Sequence, residues 1–259
     1  MRRILVTLIT AWALALSLVP AYGAEPTRGG TLQSLLWPEP PGIMSGQFLQ
    51  SPALLVSTKM FESLLMYDFE LNPKPHLAES WQVSPDGKTY TFKLRRGVKW
   101  HDGKPLTADD VVFTFGEYLI EVHPRMKVVF QKVKVAKVDD YTVEFRLEEP
   151  FGPLIRSFGI GTEIVPAHLY KGTDFRKNPN NAKPVGTGPF KFKEWKRDEY
   201  LHLVRNGDYW RKGLPYLDEI YYRLVPDAAS RAIAIESQQL HLATQNDLEL
   251  LDVNRLSKL

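Results

Sequence analysis

The sequence predicts a mixed α/β fold in which helices and β-hairpins are interspersed. Three observations predict it. Apolar residues repeat with period two in runs that are joined pairwise by short turn sequences, which is the pattern of half-buried hairpins. Between these runs, apolar stripes at spacing three to four mark helices. The order of the two kinds of segment is not the regular β-α alternation of a doubly wound parallel sheet. The chain of 259 residues is 44% hydrophobic and 24% charged, an ordinary globular composition that can fill one large domain or two small ones.

The elements follow in order. Arg2 and Arg3 precede an uncharged apolar run from Ile4 to Val19, and Pro20-Ala21-Tyr22-Gly23 offers small residues for a peptidase. Residues 1–23 read as a secretory signal cut after Gly23. The apolar run falls short of the roughly 20 residues that cross a bilayer. There is no cysteine, which excludes disulfide staples, thiol chemistry and a cysteine-linked lipid anchor. The expectation is an exported, soluble, periplasmic protein. The formal net charge is only +3, with basic and acidic residues interleaved, so nothing marks a nucleic-acid binder.

"RGGTLQSLL" reads as a strand with Leu32, Ser34 and Leu36 facing one way. "WPEPPG" breaks it, because proline lacks the backbone donor. Ser51-Pro52 opens the first helix, with Ser51 as its cap and Pro52 at its first position. Val56, Met60 and Leu64 form the buried stripe of that helix, with Phe61 beside it. Three hairpins follow: Trp81 and Val83 against Tyr90, Phe92 and Leu94 around "SPDGK", with Asp86 and Gly87 in the turn; Val133 and Val135 against Tyr141 to Leu147; and Phe190 and Phe192 against Leu201 and Leu203. Trp81, Tyr90, Phe92, Val143, Phe145 and Leu147 are the expected core of the first two. Ile220, Tyr222 and Leu224 suggest a further strand, and Asp227 caps a helix reaching about Gln239. Residues 171–188 are the one loose connection.

The stretch "LRRGVKWHDGKPLTADDVVFTF" poses a sharper question, since His101 stands beside Asp102 and Asp109 beside Asp110. Each polar residue there has a local structural role. Asp102-Gly103 suits a turn. Thr107 and Asp110 form a capping-box variant, in which the hydroxyl faces the Asp110 N–H and the carboxylate reaches back. Leu106 and Val111 are placed as a hydrophobic staple. No further metal ligand stands near His101, and the six histidines are dispersed. The stretch therefore reads as folding chemistry, with no metal and no cofactor.

From Leu77 to Phe115 the sequence resembles the signature of the extracellular solute-binding proteins of family 5. "GGTL" at Gly29, "VGTGPFKFKEW" at Val185 and "NGDYWRKGLPYLDEIYYRLVPD" at Asn206 resemble other stretches of that family, in the same order. The resemblance implies a periplasmic-binding-protein-like (type II) fold, here incomplete. Lobe one is discontinuous, at 24–61 and 179–259, lobe two is inserted at 62–178, and lobe three is missing. It implies a monomer that delivers a solute, by default a peptide, to the membrane subunits of an ABC importer. Nickel chelates, sugars and haem stay open as solutes. By that resemblance the segment before the first helix lies by the ligand, so Gln47, Gln50 and Ser51 are the binding candidates, joined by Thr187 and Gly188 of the GTGPF turn. Each also has a plain structural explanation, as part of a solvated loop, as a helix cap at Ser51 or as backbone geometry at Gly188.

Two other readings compete. One is a fragment that does not bind. Without lobe three it would hold its solute poorly and leave an unpaired strand edge in lobe one. The other is a secreted enzyme. No nucleophile elbow, phosphate loop or zinc helix appears, although a triad assembled in space leaves no such trace.

Overall fold

The computed structural model describes residues 26–244 and 247–258; the signal segment read at residues 1–23 lies outside them. Strand β1 (Thr31–Leu35) comes first, with Ser34 and Leu36 buried and Leu32 partly so. Helix α1 (Ser51–Met60) then starts one residue earlier than expected. Gln50, not Ser51, is its N-cap residue and makes no side-chain cap bond, while Ser51 is already helical. Proline is accepted anywhere in a first turn, because no N–H there has a helical partner, so Ser51-Pro52 fixes the start only to within a residue. Val56 and Met60 are fully buried as the stripe requires, but the helix stops at Met60, and Leu64 is buried on the extended run that follows.

That run enters a short ribbon of β2 (Leu65–Tyr67) and β3 (Pro73–Pro75). The prolines conceal it in the sequence, and a two-stranded edge tolerates them. Its turn is held by the Asp68 carboxylate, which accepts from the N–H groups of Glu70 (3.1 Å) and Asn72 (2.8 Å).

Strands β4 (Ala78–Val83) and β5 (Thr89–Leu94) pair around Gly87, which takes a φ of 69° that glycine allows without strain. Helix α2 (Ala108–Phe113) runs into a π-type turn at Thr114–Tyr118, then α3 (Leu119–Val122) and α4 (Pro124–Phe130). Strands β6 (Val133–Asp139) and β7 (Thr142–Leu147) complete an antiparallel sheet in the order β4-β5-β7-β6. A 3-10 turn at Gly152–Phe158 packs over it. The core on this face is a cluster of phenylalanines. Phe92, Phe115, Phe145 and Phe158 meet mostly edge to face, with centroids 4.7–5.5 Å apart, and Phe130 joins at 4.7 Å from Phe115. Two residues expected in this core, Trp81 and Leu147, are only partly buried, and Val83 is 45% exposed. β4 is an edge strand with a register shift between Ala78 and Ser80, and all its residues after Ala78 are partly or wholly exposed.

After α5 (Ala167–Tyr170) and the irregular connection, the chain forms β8 (Phe190–Lys196), β9 (Tyr200–Arg205) and β10 (Glu219–Arg223). β10 lies antiparallel to β9 and parallel to β1, pairing Thr31 with Glu219 through Leu35 with Arg223. This second sheet, in the order β1-β10-β9-β8, thus brackets the first one in sequence. The outer edge of β1 is not left bare: Leu35 N–H donates to Leu242 C=O at 2.7 Å and His241 N–H to Gln33 C=O at 2.8 Å. Asp227 caps α6 (Ala228–Glu236), its carboxylate accepting from Ser230 N–H at 2.8 Å. The helix ends three residues before the expected Gln239, where Gln238 turns to a φ of 59°. Helix α7 (Leu250–Leu256) is the last element.

Candidate functional site

β1 ends in Leu36 and Trp37, and the chain returns ten-odd residues later to start α1 beside it. Between them opens a cleft of about 620 Å³, with Leu36, Trp37, Leu54, Leu55 and Ile160 as apolar walls and Gln50, Ser51, Thr58, Thr244 and Asp247 as polar groups. Crevices at the carboxyl end of a strand in a sheet with parallel pairing are common ligand positions.

Two buried carboxyl groups fix this cleft. Asp247 closes its floor: its carboxylate accepts from the N–H groups of Trp37 (3.1 Å) and Thr244 (2.5 Å), and its carbonyl accepts from the buried Arg231, whose guanidinium lies 5.2 Å from the Trp37 ring centroid. Glu163 holds the segment leading into α1. It takes the Ser45 hydroxyl and accepts from Gly161 N–H at 2.9 Å, while burial pushes its pKa up. The Tyr118 hydroxyl donates to the Ser45 carbonyl at 2.8 Å. Gln50 and Ser51 are exposed at the end of this anchored loop. The first helical bond runs from Leu54 N–H to Gln50 C=O at 3.0 Å, so the Ser51 amide precedes the ladder at the positive end of the helix.

Of the five residues singled out in the sequence, Gln50 and Ser51 meet in this cleft. Gln47 turns away: its side-chain amide donates to the Tyr118 hydroxyl (3.1 Å) and the Phe175 carbonyl (3.0 Å), at the border of a different cleft. Thr187 and Gly188 are buried outside both. The Thr187 hydroxyl donates to Glu62 at 2.8 Å, and Gly188 gives its N–H to the Met60 carbonyl at 2.8 Å. A Cβ on Gly186 would stand 1.8 Å from the Met60 oxygen, and one on Gly188 2.6 Å from that of Lys59. Both glycines are thus set by the close passage of this turn across the end of α1.

His101 clasps the same turn. Its main-chain N–H donates to the Gly186 carbonyl at 2.8 Å, and its Nδ1 accepts from Gly186 N–H at 3.2 Å. That leaves Nε2–H to donate to the Gly188 carbonyl at 3.0 Å. Burial, aided by Lys191, lowers the pKa of His101 to about 4 against the Gly188 bond, so the ring is neutral. Asp102 instead pairs with His168 at 2.7 Å, and Gly103 turns at a φ of 91°. The capping box of Thr107 and Asp110 is formed, with Thr107 N–H donating to the Asp110 carboxylate at 3.0 Å. Asp110 does more than cap. It also accepts from Ala167 N–H (2.9 Å) and Trp100 Nε1 (3.3 Å), which ties α2 to α5. Leu106 and Val111 are both buried, as a staple requires.

Sequence reasoning missed Glu62. This carboxylate is 2% exposed and accepts from Thr187 (2.8 Å), the Tyr209 hydroxyl (2.7 Å) and Trp210 Nε1 (3.0 Å), with His76 Nε2 at 3.1 Å. Burial alone would raise its pKa, but His76, Trp210 and Tyr209 together bring it below the usual range. Its four partners come from three distant segments, and no local spacing announces them.

The chain is similar to several known proteins. Residues 72–258 match the family model "Bacterial extracellular solute-binding proteins, family 5 Middle". The oligopeptide-binding protein AppA of Bacillus subtilis is 35% identical over 223 residues, 84% of this chain and 41% of that protein. The heme-binding protein A of Haemophilus influenzae is 35% identical over 186 residues, 63% of this chain and 34% of that protein. Among solved structures, AppA from Bacillus subtilis in complex with a nonapeptide superposes with a TM-score of 0.80 at 32% identity, over 90% of this chain and 47% of that one. The periplasmic binding protein DppA from Helicobacter pylori in complex with peptide STSA gives 0.78 at 28%, over 90% and 49%. The chain thus spans between a third and a half of the length of these relatives, and its fold is that of the type II periplasmic binding proteins.

Proposed function

The chain belongs to the bacterial extracellular solute-binding proteins of family 5, and from that premise we propose that it supplies one wall of a peptide-binding site for an ABC importer. The observation that carries this reading is the cleft at the end of β1, where Gln50, Ser51 and the start of α1 stand over apolar walls. Its chemistry suits a peptide main chain. The walls are apolar, the polar groups are neutral apart from Asp247, and both Asp247 oxygens are occupied. Among the described lining residues a metal chelate or a charged sugar acid would find no free carboxylate, histidine or cation. An uncapped helix start offers main-chain hydrogen bonds that do not depend on side-chain identity. Two of the relatives named above are described with peptides, which agrees with this choice. Thr187 and Gly188 support the site from behind, through Glu62 and His101.

The proposed organisation is a lobe one at 24–61 and 179–259, holding the cleft, and a lobe two at 62–178. The relatives extend at least as far again as the part matched here, and the opposing wall of the site is assigned to that extension. The leader at residues 1–23 directs export, and among the described residues no helix is long and apolar enough to cross a membrane. The role is delivery, not catalysis, by a monomer.

Calorimetry with a mixed di- to pentapeptide pool tests the reading, on this chain and on this chain joined to the C-terminal half of AppA. Micromolar binding by the joined protein, lost in Ser51→Trp and weak in the chain alone, is expected. Tight binding by the chain alone would overturn the one-wall assignment. Full affinity in Ser51→Trp would overturn the location.

A further inference from the structure

A second cleft, of about 690 Å³, opens between loop 41–48, the connection 171–188 and the hairpin of β8 and β9. It shares no lining residue with the cleft at the end of β1. Its volume falls within the roughly 300–1,000 Å³ of small-molecule sites. Four cations line it, Arg176, Lys183, Lys193 and Arg197, against a single carboxylate, Glu194. That carboxylate is engaged by the Tyr200 hydroxyl at 3.0 Å.

The two arginines are held in place. Arg176 donates to the carbonyls of Glu121 and Val122 at the end of α3, both at 3.3 Å. Arg197 donates to the carbonyls of Pro40 (3.1 Å) and Pro41 (3.3 Å) and pairs with the Glu39 carboxylate at 3.4 Å, which leaves Arg176, Lys183 and Lys193 as the unpaired cations among the described lining residues. The two lysines are free: among the described residues, neither Lys183 nor Lys193 has a carboxylate within 4.0 Å or a side-chain hydrogen bond. A concave surface lined by one sign of charge concentrates counter-ions.

Phe48, Phe192 and Trp195 supply aromatic walls beside the neutral amides of Gln47 and Asn181. The Phe48 ring is pressed on the bare backbone of Gly42, where an added Cβ would come within 2.1 Å of it. Trp195 is fixed at its edge by Nε1 donating to Glu39 at 2.8 Å, and Arg197 lies over its face at 3.5 Å. Fixed ring faces beside cations recognise a flat conjugated group that carries negative charge.

We infer that this cleft binds an aromatic or heteroaromatic anion, a ring bearing a carboxylate or phosphate, with the ring against Phe48 and the Arg197 guanidinium that covers Trp195, and the anion between Lys183 and Lys193. The site is independent of the peptide reading, and failure of the peptide calorimetry does not touch it.

Calorimetry of the 259-residue chain at low salt, with phenyl phosphate, benzoate, inorganic phosphate and benzyl alcohol as probes, decides it. Saturable binding of phenyl phosphate or benzoate is expected, about tenfold tighter than that of inorganic phosphate or benzyl alcohol. The double variant Lys183→Ala, Lys193→Ala should weaken it about tenfold and leave the melting temperature unchanged, since neither side chain bonds to the protein. Equal affinity for inorganic phosphate and phenyl phosphate would overturn the role of the rings. Undiminished binding by the double variant, or no saturable binding of either ring anion at millimolar concentration, would overturn the site.

Discussion

The two sheets of this protein are built on opposite plans. The β4-β5-β7-β6 sheet joins two hairpins through β5 and β7, and its face is sealed by Phe92, Phe115, Phe130, Phe145 and Phe158. The β1-β10-β9-β8 sheet joins strands from the two ends of the described chain and carries the cleft on its rim. Both contribute to one apolar core, the second through Phe190, Leu201, Leu203, Ile220 and Tyr222. The second is tied in addition by the buried Glu62, Glu163 and Asp247 and the partly buried His101. The difference teaches that the proposed binding wall adds long-range hydrogen bonds to the apolar packing that both sheets share.

The largest effect should come from the packed sheet. Phe145→Ala removes a ring with four aromatic neighbours and should cost about 3–5 kcal/mol in denaturant melts. A loss under about 1 kcal/mol would show that the cluster is loosely packed. Next comes Glu62→Gln, expected at about 3 kcal/mol because it disturbs a buried acceptor with four partners. Its pH dependence sharpens the contrast. The folded-state pKa of Glu62 lies below its unfolded value, so its contribution is present above that unfolded value, about 4.3, and fades as pH falls through the folded one. Acid melts of Glu62→Gln should therefore be flatter than wild type in that window, while those of Phe145→Ala should keep the wild-type slope.

His101→Ala should cost about 2 kcal/mol, since it strips partners from the Gly186 and Gly188 turn. A histidine pKa lowered to about 4 in the fold, against an ordinary value near 6.5, means that protons bind the unfolded chain first. Stability from this residue is complete above the upper value and declines on acidification toward the lower. Wild type should lose stability across that interval, and His101→Ala should lose less. Identical slopes would show that the ring is solvated. The smallest effect is Thr107→Ala, about 1 kcal/mol through the helix cap, with Ser51→Ala close to zero because Ser51 caps nothing. Equal costs at the two positions would reverse their assignments.

This ordering also marks what the sequence could disclose. The hairpins, the Thr107–Asp110 box and the Asp227 cap are local: period-two runs, turn residues and short spacings determine them. The family motifs carried the fold class. The Glu62 partners, the clasp of His101 on Gly186 and Gly188, and the β1–β10 pairing join segments scores of residues apart, and a polar side chain does not announce a distant acceptor. The Gln47 to Ser51 segment is divided in a way that its sequence does not show, because the turn at Gly46 and the anchor on Tyr118 send Gln47 to one cleft and Gln50 to another. Trp81 and Leu147 are expected in the core and are only partly buried, since alternation shows which face a residue takes but not how completely that face is covered.

The central claim is that solute is held where β1 ends and α1 begins, and the chain's lack of cysteine allows a direct measurement. Ser51→Cys and Lys93→Cys, the latter on the exposed face of the other sheet, are each labelled with an environment-sensitive fluorophore in the chain joined to the C-terminal half of AppA. Titration with the peptide pool should give a saturable change at position 51 and none at position 93. A silent probe at position 51 under conditions where calorimetry registers binding would contradict the account.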